Sequence, residues 1–263
     1  MKKNILNILK SKGQKKLVAT TAYTFSVAKL ISDLDFDIIL VGDSLGMVIK
    51  GENNTLNVTM QDMLYHSSIV SKANHNSFIV ADMPFLSCDI SIEQAVKNAG
   101  ALIQKASVDA VKVEGGFSKV ETIRRIVGAG IPVMGHLGLN PQKILKMGRY
   151  SVQGKTAKEE ENLLEASKAL VEAGVFVIVL ECVPASLAKK ITEAVNVPTI
   201  GIGAGIHCDG QILVSTDIFG LTDNTPPKFV KTYAKVGDLM KNALSEYKSE
   251  VLDGIFPNDK FSY

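Results

Sequence analysis

Tryptophan is absent from this sequence, and aromatic residues of all kinds make up only 6% of it. That scarcity argues against a surface built for stacking on bases. A one-sided charge is missing too: 29 Lys and Arg stand against 27 Asp and Glu, net +2, without an arginine-rich patch. The electrostatic footprint of a nucleic-acid partner is therefore lacking. The short basic clusters MKKN (1–4) and GQKKL (13–17) read as a solvated N-terminal stretch. Cysteine is scarce: Cys88, Cys182 and Cys208 are scattered with no CxxC pair, so they read as packing thiols of a reducing compartment and not as a zinc cluster. No apolar run approaches the roughly 18 residues that span a bilayer, and the N-terminus lacks an apolar core and a small-residue cleavage site. The expectation is a cytoplasmic protein that acts on small molecules, with no membrane or nucleic-acid partner.

What is present is a large apolar fraction, 46% of 263 residues, enough for a sizeable core. Short apolar runs alternate with helical patterns along most of the chain. The runs are KLVATTAY, DIILVGD, SFIVADMPF, DAVKVEGG, IPVMGHLG, VFVIVLECV, VPTIGIGAG and a weaker QILVSTD. Between them, SIEQAVKNAGALIQKAS has Ser91 and Gln94 at capping-box spacing. KEEENLLEASKALVEAG starts acidic and ends at Gly174, as the helix dipole and a glycine cap favour. Strands alternating with helices imply parallel βαβ units. About eight units in about 250 residues predict a single-domain (β/α)8 TIM barrel over 1–263. The rival open sheet would call for a glycine fingerprint after the first strand, and TTAYTF has none. Two connections are long, 44–58 and 137–157, and loops of that length in a compact domain are often binding loops or lids. The C-terminal SEYKSEVLDGIFPNDKFSY reads as a helix with a loose tail.

The chemistry lies at the ends of the runs. IILVGD ends at Asp43, FIVAD at Asp82, AVKVE at Glu114, PVMGH at His136 and VIVLE at Glu181. In a parallel barrel all strand C-termini share one rim, and the active site is built there. The two-residue strand period places Lys112 on the same face as Glu114, one layer deeper. Each group also has a plainer role: a turn cap, a structural Lys112–Glu114 pair, an interior hydrogen-bonded His136, or a Glu181 bridge to Lys189 or Lys190. Five independent caps on one rim are not expected together, however. Four carboxylates near one another stay ionised only beside compensating cations. Lys112 supplies one positive charge, and an oxygen-rich set suits Mg²⁺ for the rest. Asp43 is therefore expected to be a metal ligand.

These stretches resemble the ketopantoate hydroxymethyltransferase family. The likeness is carried by TAY (21–23), LVGDSLGMV (40–48), ADMPF (81–85), VKVEGG (111–116), IPVMGHLGLNPQ (131–142), VLECVP (179–184), PTIGIGAG (198–205) and DGQILV (209–214), in the family's order over nearly the whole chain. The resemblance implies a (β/α)8 barrel, Mg²⁺ dependence and homo-oligomers, typically decamers. By the same resemblance Asp43, Asp82 and Glu114 match the metal residues, the last acting through water. Ser44 and Lys112 match groups that bind the oxo acid, together with Asp43 and Asp82, and Glu181 matches the proton acceptor. Two places depart from the family pattern: Thr24 replaces an Asp, and Arg149 in GRY replaces a Gly.

The expected reaction takes a hydroxymethyl group from 5,10-methylenetetrahydrofolate to 3-methyl-2-oxobutanoate and gives 2-dehydropantoate in pantothenate synthesis, through an enolate that Mg²⁺ stabilises. Glu181 would remove the C3 proton and His136 would hydrogen-bond the substrate. The alternative is a Mg²⁺-dependent 2-oxo acid carbon–carbon lyase or aldolase on a similar barrel. Lyases of that kind often add a lid cysteine, and 44–58 and 137–157 contain none.

Overall fold

The computed structural model of the chain describes residues 2–222 and 226–263. It divides into two compact units, Met1–Leu213 and Val214–Tyr263. In the first unit all eight apolar runs become strands: β1 Leu17–Thr21, β2 Ile38–Val41, β3 Phe78–Asp82, β4 Ala110–Glu114, β5 Val133–Gly138, β6 Val177–Glu181, β7 Thr199–Ile202 and β8 Gly210–Leu213. Each pairs in parallel with its sequence neighbour, and β8 pairs with β1, which closes the barrel. This is the predicted (β/α)8 architecture.

The two-residue period decides which side chains fill the barrel. Ile38, Leu40, Val80, Met134, Val177 and Ile200 gather in an inner cluster. Their alternates Ile39, Val41, Ile79, Val111, Val113 and Ile178 join the larger layer between sheet and helices. The helices of this unit are α1 Ile5–Leu9, α2 Phe25–Asp33, α3 Leu45–Val48, α4 Met60–Ala73, α5 Ile92–Ala106, α6 Val120–Gly128, α7 Ile144–Met147, α8 Ala157–Glu172 and α9 Ala185–Ala194. Ser91 caps α5 by accepting from the Gln94 N–H, but the Gln94 amide turns to Asn98, so only half of the expected capping box forms. A full box, Thr156 with Glu159, starts α8. The two long connections carry structure of their own: α3 in one, a 3-10 turn Pro141–Lys143 and α7 in the other.

The N-terminal segment is bound, not merely solvated. Ile8 of α1 is fully buried in the inner cluster, at the end where the strands begin. Three aspartates stand one residue before a strand, and each accepts from a backbone N–H of the preceding strand. These bonds are Val18 N to Asp37 at 2.9 Å, Ile79 N to Asp109 at 2.8 Å and Thr199 N to Asp209 at 2.9 Å. Lysines of the basic clusters, with Lys12 just before the second, answer them. Lys3 and Lys15 pair with Asp37, Lys2 with Asp109 and Lys12 with Asp209.

The second unit holds α10 Ser215–Phe219, α11 Val236–Leu252 and a 3-10 turn Asp259–Phe261. Its long helix starts well before the Ser245 at which the predicted one begins. The tail is less loose than expected, since the rings of Tyr247, Phe256 and Phe261 meet in sequence at 5.7 Å. Among the described residues, no helix is long and apolar enough to cross a membrane.

Candidate active site

Asp82, Glu114 and Glu181 are the last residues of β3, β4 and β6. His136 lies inside β5, opposite Glu114 in register. Asp43 and Ser44 follow β2 by two and three residues, on the turn into α3. The strand ends thus bring Asp43, Asp82, Lys112, Glu114 and His136 to one barrel mouth, all of them buried. Glu181 stands at its margin, with 18% of its side chain open to solvent.

Lys112 occupies the centre. Its ammonium lies 3.0 Å from Asp82 Oδ1 and 3.5 Å from Glu114 Oε1. Burial alone would strip the proton from such a lysine, but Asp82, Glu114 and Asp43 outweigh it and hold the pKa well above the ordinary value. Burial would likewise raise Glu114, yet Lys112 and His136 bring it down to about 2. His136 meets a carboxylate at each ring nitrogen: Glu114 Oε1 at 3.4 Å from Nδ1 and Glu181 Oε2 at 3.3 Å from Nε2. Burial and Lys112, whose Nζ is 3.1 Å from Nδ1, oppose the imidazolium. The two carboxylates overcome them and raise His136 to about 9.

Asp43 is tied down by different means. The Gln142 amide donates to Asp43 Oδ2 at 2.8 Å, and the Asp43 N–H donates to Asp82 Oδ2 at 2.9 Å. Burial first, then the charges of Glu114 and Asp82, hold Asp43 well above the carboxylate range, and burial raises Asp82 as well. Gly42 leaves room for the Ser44 hydroxyl, because a Cβ there would stand 2.7 Å from Ser44 Oγ. Gly138 does the same beside Glu181. At φ +96° it adopts a backbone that side chains disfavour, and a Cβ would come within 2.1 Å of the Glu181 carbonyl.

A family model described as ketopantoate hydroxymethyltransferase matches residues 2–259. The chain belongs to the ketopantoate hydroxymethyltransferase family.

The curated relatives agree. The 3-methyl-2-oxobutanoate hydroxymethyltransferase of Clostridioides difficile is 51% identical over 95% of this chain and 90% of its own. That of Moorella thermoacetica is 50% identical over 98% and 96%. A transferase activity follows from the family. Among solved structures, a 2,3-dimethylmalate lyase of the PEP mutase/isocitrate lyase superfamily superposes with a TM-score of 0.62 at 15% identity, covering 100% of this chain and 92% of its own. A phosphonopyruvate hydrolase gives 0.63 at 13%, with the same coverage. At such identities these two neighbours share the fold alone.

Among the described residues, no three acid, imidazole or thiol groups are drawn together as a ready-made metal cage. Magnesium does not require one, since it keeps several waters and takes one or two carboxylates plus substrate oxygens. Asp43 and Asp82 are adjacent oxygen donors, and Asp82 Oδ1 is buried without an aligned hydrogen bond. Asp43, Asp82, Glu114 and Glu181 share the mouth with one ammonium and one imidazole. The donors fit a hard divalent cation.

Two mouth residues lie outside the sequence-predicted set. Gln142 links the β5–α8 connection to the acids, donating from its amide to Asp43 and to Met83 O, and from its backbone to Glu114 Oε2 at 3.3 Å. Tyr23, after β1, places its hydroxyl 2.7 Å from Ser44 Oγ. Both fall inside the family-like stretches, TAY and IPVMGHLGLNPQ, which is the signal that could have singled them out. Tyr150 is near as well: burial, then Asp43, Glu181 and Glu114, raise its phenol. The lysines expected as alternative partners of Glu181 are engaged elsewhere, Lys190 with Glu160 and Lys189 with Glu193. Cys88, Cys182 and Cys208 are free and buried, and burial pushes the first two thiols up to about 11. Thr24 is exposed at the start of α2 and makes no side-chain cap, and Arg149 is exposed. A cavity of about 330 Å³ lies beside the rim, walled by Phe117, Leu137, Asn140, Gln153 and Leu163 among others.

Proposed function

We propose that this barrel transfers a hydroxymethyl group from 5,10-methylenetetrahydrofolate to 3-methyl-2-oxobutanoate, giving 2-dehydropantoate for pantothenate biosynthesis. The observation that carries the reading is the chain Asp82–Lys112–Glu114–His136–Glu181, a buried cation walled by carboxylates with one carboxylate at its open end.

Lys112 and Ser44 bind the carboxylate end of the oxo acid. A buried ammonium already desolvated by the fold meets an anionic substrate at little further cost. Asp43 and Asp82 would hold Mg²⁺, with Glu114 reaching it through water. The metal, when bound, polarises the ketone oxygen and so acidifies C3. Glu181, the most open of the rim acids, takes the C3 proton. His136, in contact with Glu181, hydrogen-bonds the substrate and restrains the base. Water adds to the methylene carbon and both of its C–N bonds to the folate break, the nitrogens taking up protons to leave tetrahydrofolate. C3 bonds to that same carbon, and its oxygen, taken from the water, is protonated as the product hydroxyl. The connection bearing Gln142 and Tyr150 covers the mouth and limits water access.

The same family likeness supports a homo-oligomer, a decamer, in the cytoplasm. The buried free thiols and the lack of a membrane-crossing helix among the described residues accord with that placement.

The test is product formation from the two substrates, free of formaldehyde, with and without Mg²⁺. 2-Dehydropantoate is expected only when both the methylene donor and the metal are present. Cleavage of a 2-oxo or hydroxy diacid, with no product from the pair, would favour the lyase reading instead.

A further inference from the structure

Tyr23 is buried, at 2% exposure, yet it takes no part in the chemistry proposed above. A buried phenol needs a partner for its O–H. The hydroxyl of Tyr23 finds Ser44 Oγ at 2.7 Å. Its backbone is fixed from the other side, where His66 Nδ1 donates to the Tyr23 carbonyl at 2.7 Å. Ser44 is unusually placed for a residue at a helix start. It stands at the N-cap of α3 but makes no capping hydrogen bond, so its hydroxyl is not spent on the backbone. Gly42 crowds the same oxygen closely enough that any larger residue there would displace it.

We infer that Tyr23 is a positioning residue for the oxo acid: its phenol donates to Ser44 Oγ and so turns the serine proton toward the substrate carboxylate. A serine hydroxyl has one proton and two lone pairs. When Tyr23 fills one lone pair, the proton of Ser44 is directed away from the phenol and into the mouth. Burial keeps the phenol protonated across the working range, so the donor is constant. This inference rests on the reading of Ser44 as a substrate-binding group, and it separates that role from the proton transfer at Glu181.

The experiment is a double-mutant cycle of Y23F and S44A, with KM and kcat measured separately for 3-methyl-2-oxobutanoate and for the folate. A lost hydrogen bond predicts that Y23F raises the oxo-acid KM roughly tenfold. The fall in kcat should be smaller, and the folate KM should stay unchanged. S44A should raise the same KM, and Y23F should add nothing once Ser44 is gone, because its effect passes through that oxygen. Should Y23F not fold, site-specific 3-fluorotyrosine at position 23 keeps the ring and strengthens the donor. It is expected to hold or lower the KM. Additive effects of Y23F and S44A, an unchanged KM in Y23F, or a raised KM with the fluorinated residue would each overturn the inference. An S44A enzyme with wild-type KM would remove the underlying role of Ser44. No turnover of the oxo acid by the unaltered enzyme would remove the functional reading itself.

Discussion

Glu181 Oε2 and His136 Nε2 face each other at 3.3 Å from adjacent strands, in contact but without hydrogen-bond alignment. Glu181, proposed as the base, is thus in contact with its neighbour without being locked to it. Replacing its carboxylate with a neutral amide isolates the proposed function. Glu181→Gln should keep oxo-acid binding and lower kcat by roughly 10²–10⁴-fold. Loss of the C3 hydrogen into deuterated water, followed by NMR, reads the step directly. Exchange at the wild-type rate in the variant would refute the assignment.

Asp43 and Asp82 carry the metal proposal. Asp43→Ala and Asp82→Ala should each shift the Mg²⁺ concentration for half-maximal activity steeply upward, since each removes one of the two proposed oxygen donors. Titration of activity against Mg²⁺ measures the shift. Wild-type curves in both variants would rule out these ligands.

Gln142 makes the connection after β5 part of the acid cluster. Its amide is a donor to a buried carboxylate, a class of hydrogen bond whose loss costs about 1.5–3 kcal/mol. Gln142→Ala should therefore reduce kcat/KM by about tenfold or more. Gln142→Glu should be worse, because it replaces a donor with another negative charge beside Asp43. If the glutamate variant outperforms the alanine one, the bridge is not what holds the segment.

At the opposite end of the barrel, Asp209 predicts a pH effect on stability. Burial raises its carboxyl, but Lys12 and the N–H groups of Thr199 and Gly13 prevail and hold it below its ordinary 3.8. A depressed folded-state pKa stabilises the fold above the unfolded value, and that stability is lost as pH falls through the folded one. Urea unfolding between about pH 5 and pH 2.5 should show stability falling with acid. Asp209→Asn should be less stable at neutral pH and should show a shallower decline. An equal slope in the variant would mean that other carboxylates dominate the acid limb.

The strands and the rim acids were legible because apolar runs that stop at an ionisable group leave a sharp mark in the sequence. Asp82, Glu114 and Glu181 are each the final residue of such a run. Lys112 was legible for a related reason, since a charge inside a buried strand requires partners. Gln142 and Tyr23 carry no such mark. An amide in a polar loop and a phenol at a strand end look like ordinary surface and core residues, and only the closed barrel shows that each touches an acid or a serine of the mouth. The clusters MKKN and GQKKL suggested solvated charge because Asp37, Asp109 and Asp209 are distant in sequence. Only a closed sheet brings those aspartates under the N-terminal lysines.

Three strands of this barrel, β2, β3 and β4, therefore run between two tasks. The aspartates before β2, β4 and β8 act as moorings for a short helical stopper, while the far ends of the same wall carry the residues of the proposed chemistry. Wear at one end need not be felt at the other. Substitutions in the stopper are expected to change tolerance of heat or acid more than turnover, since the ion pairs that hold it lie at the end away from the mouth.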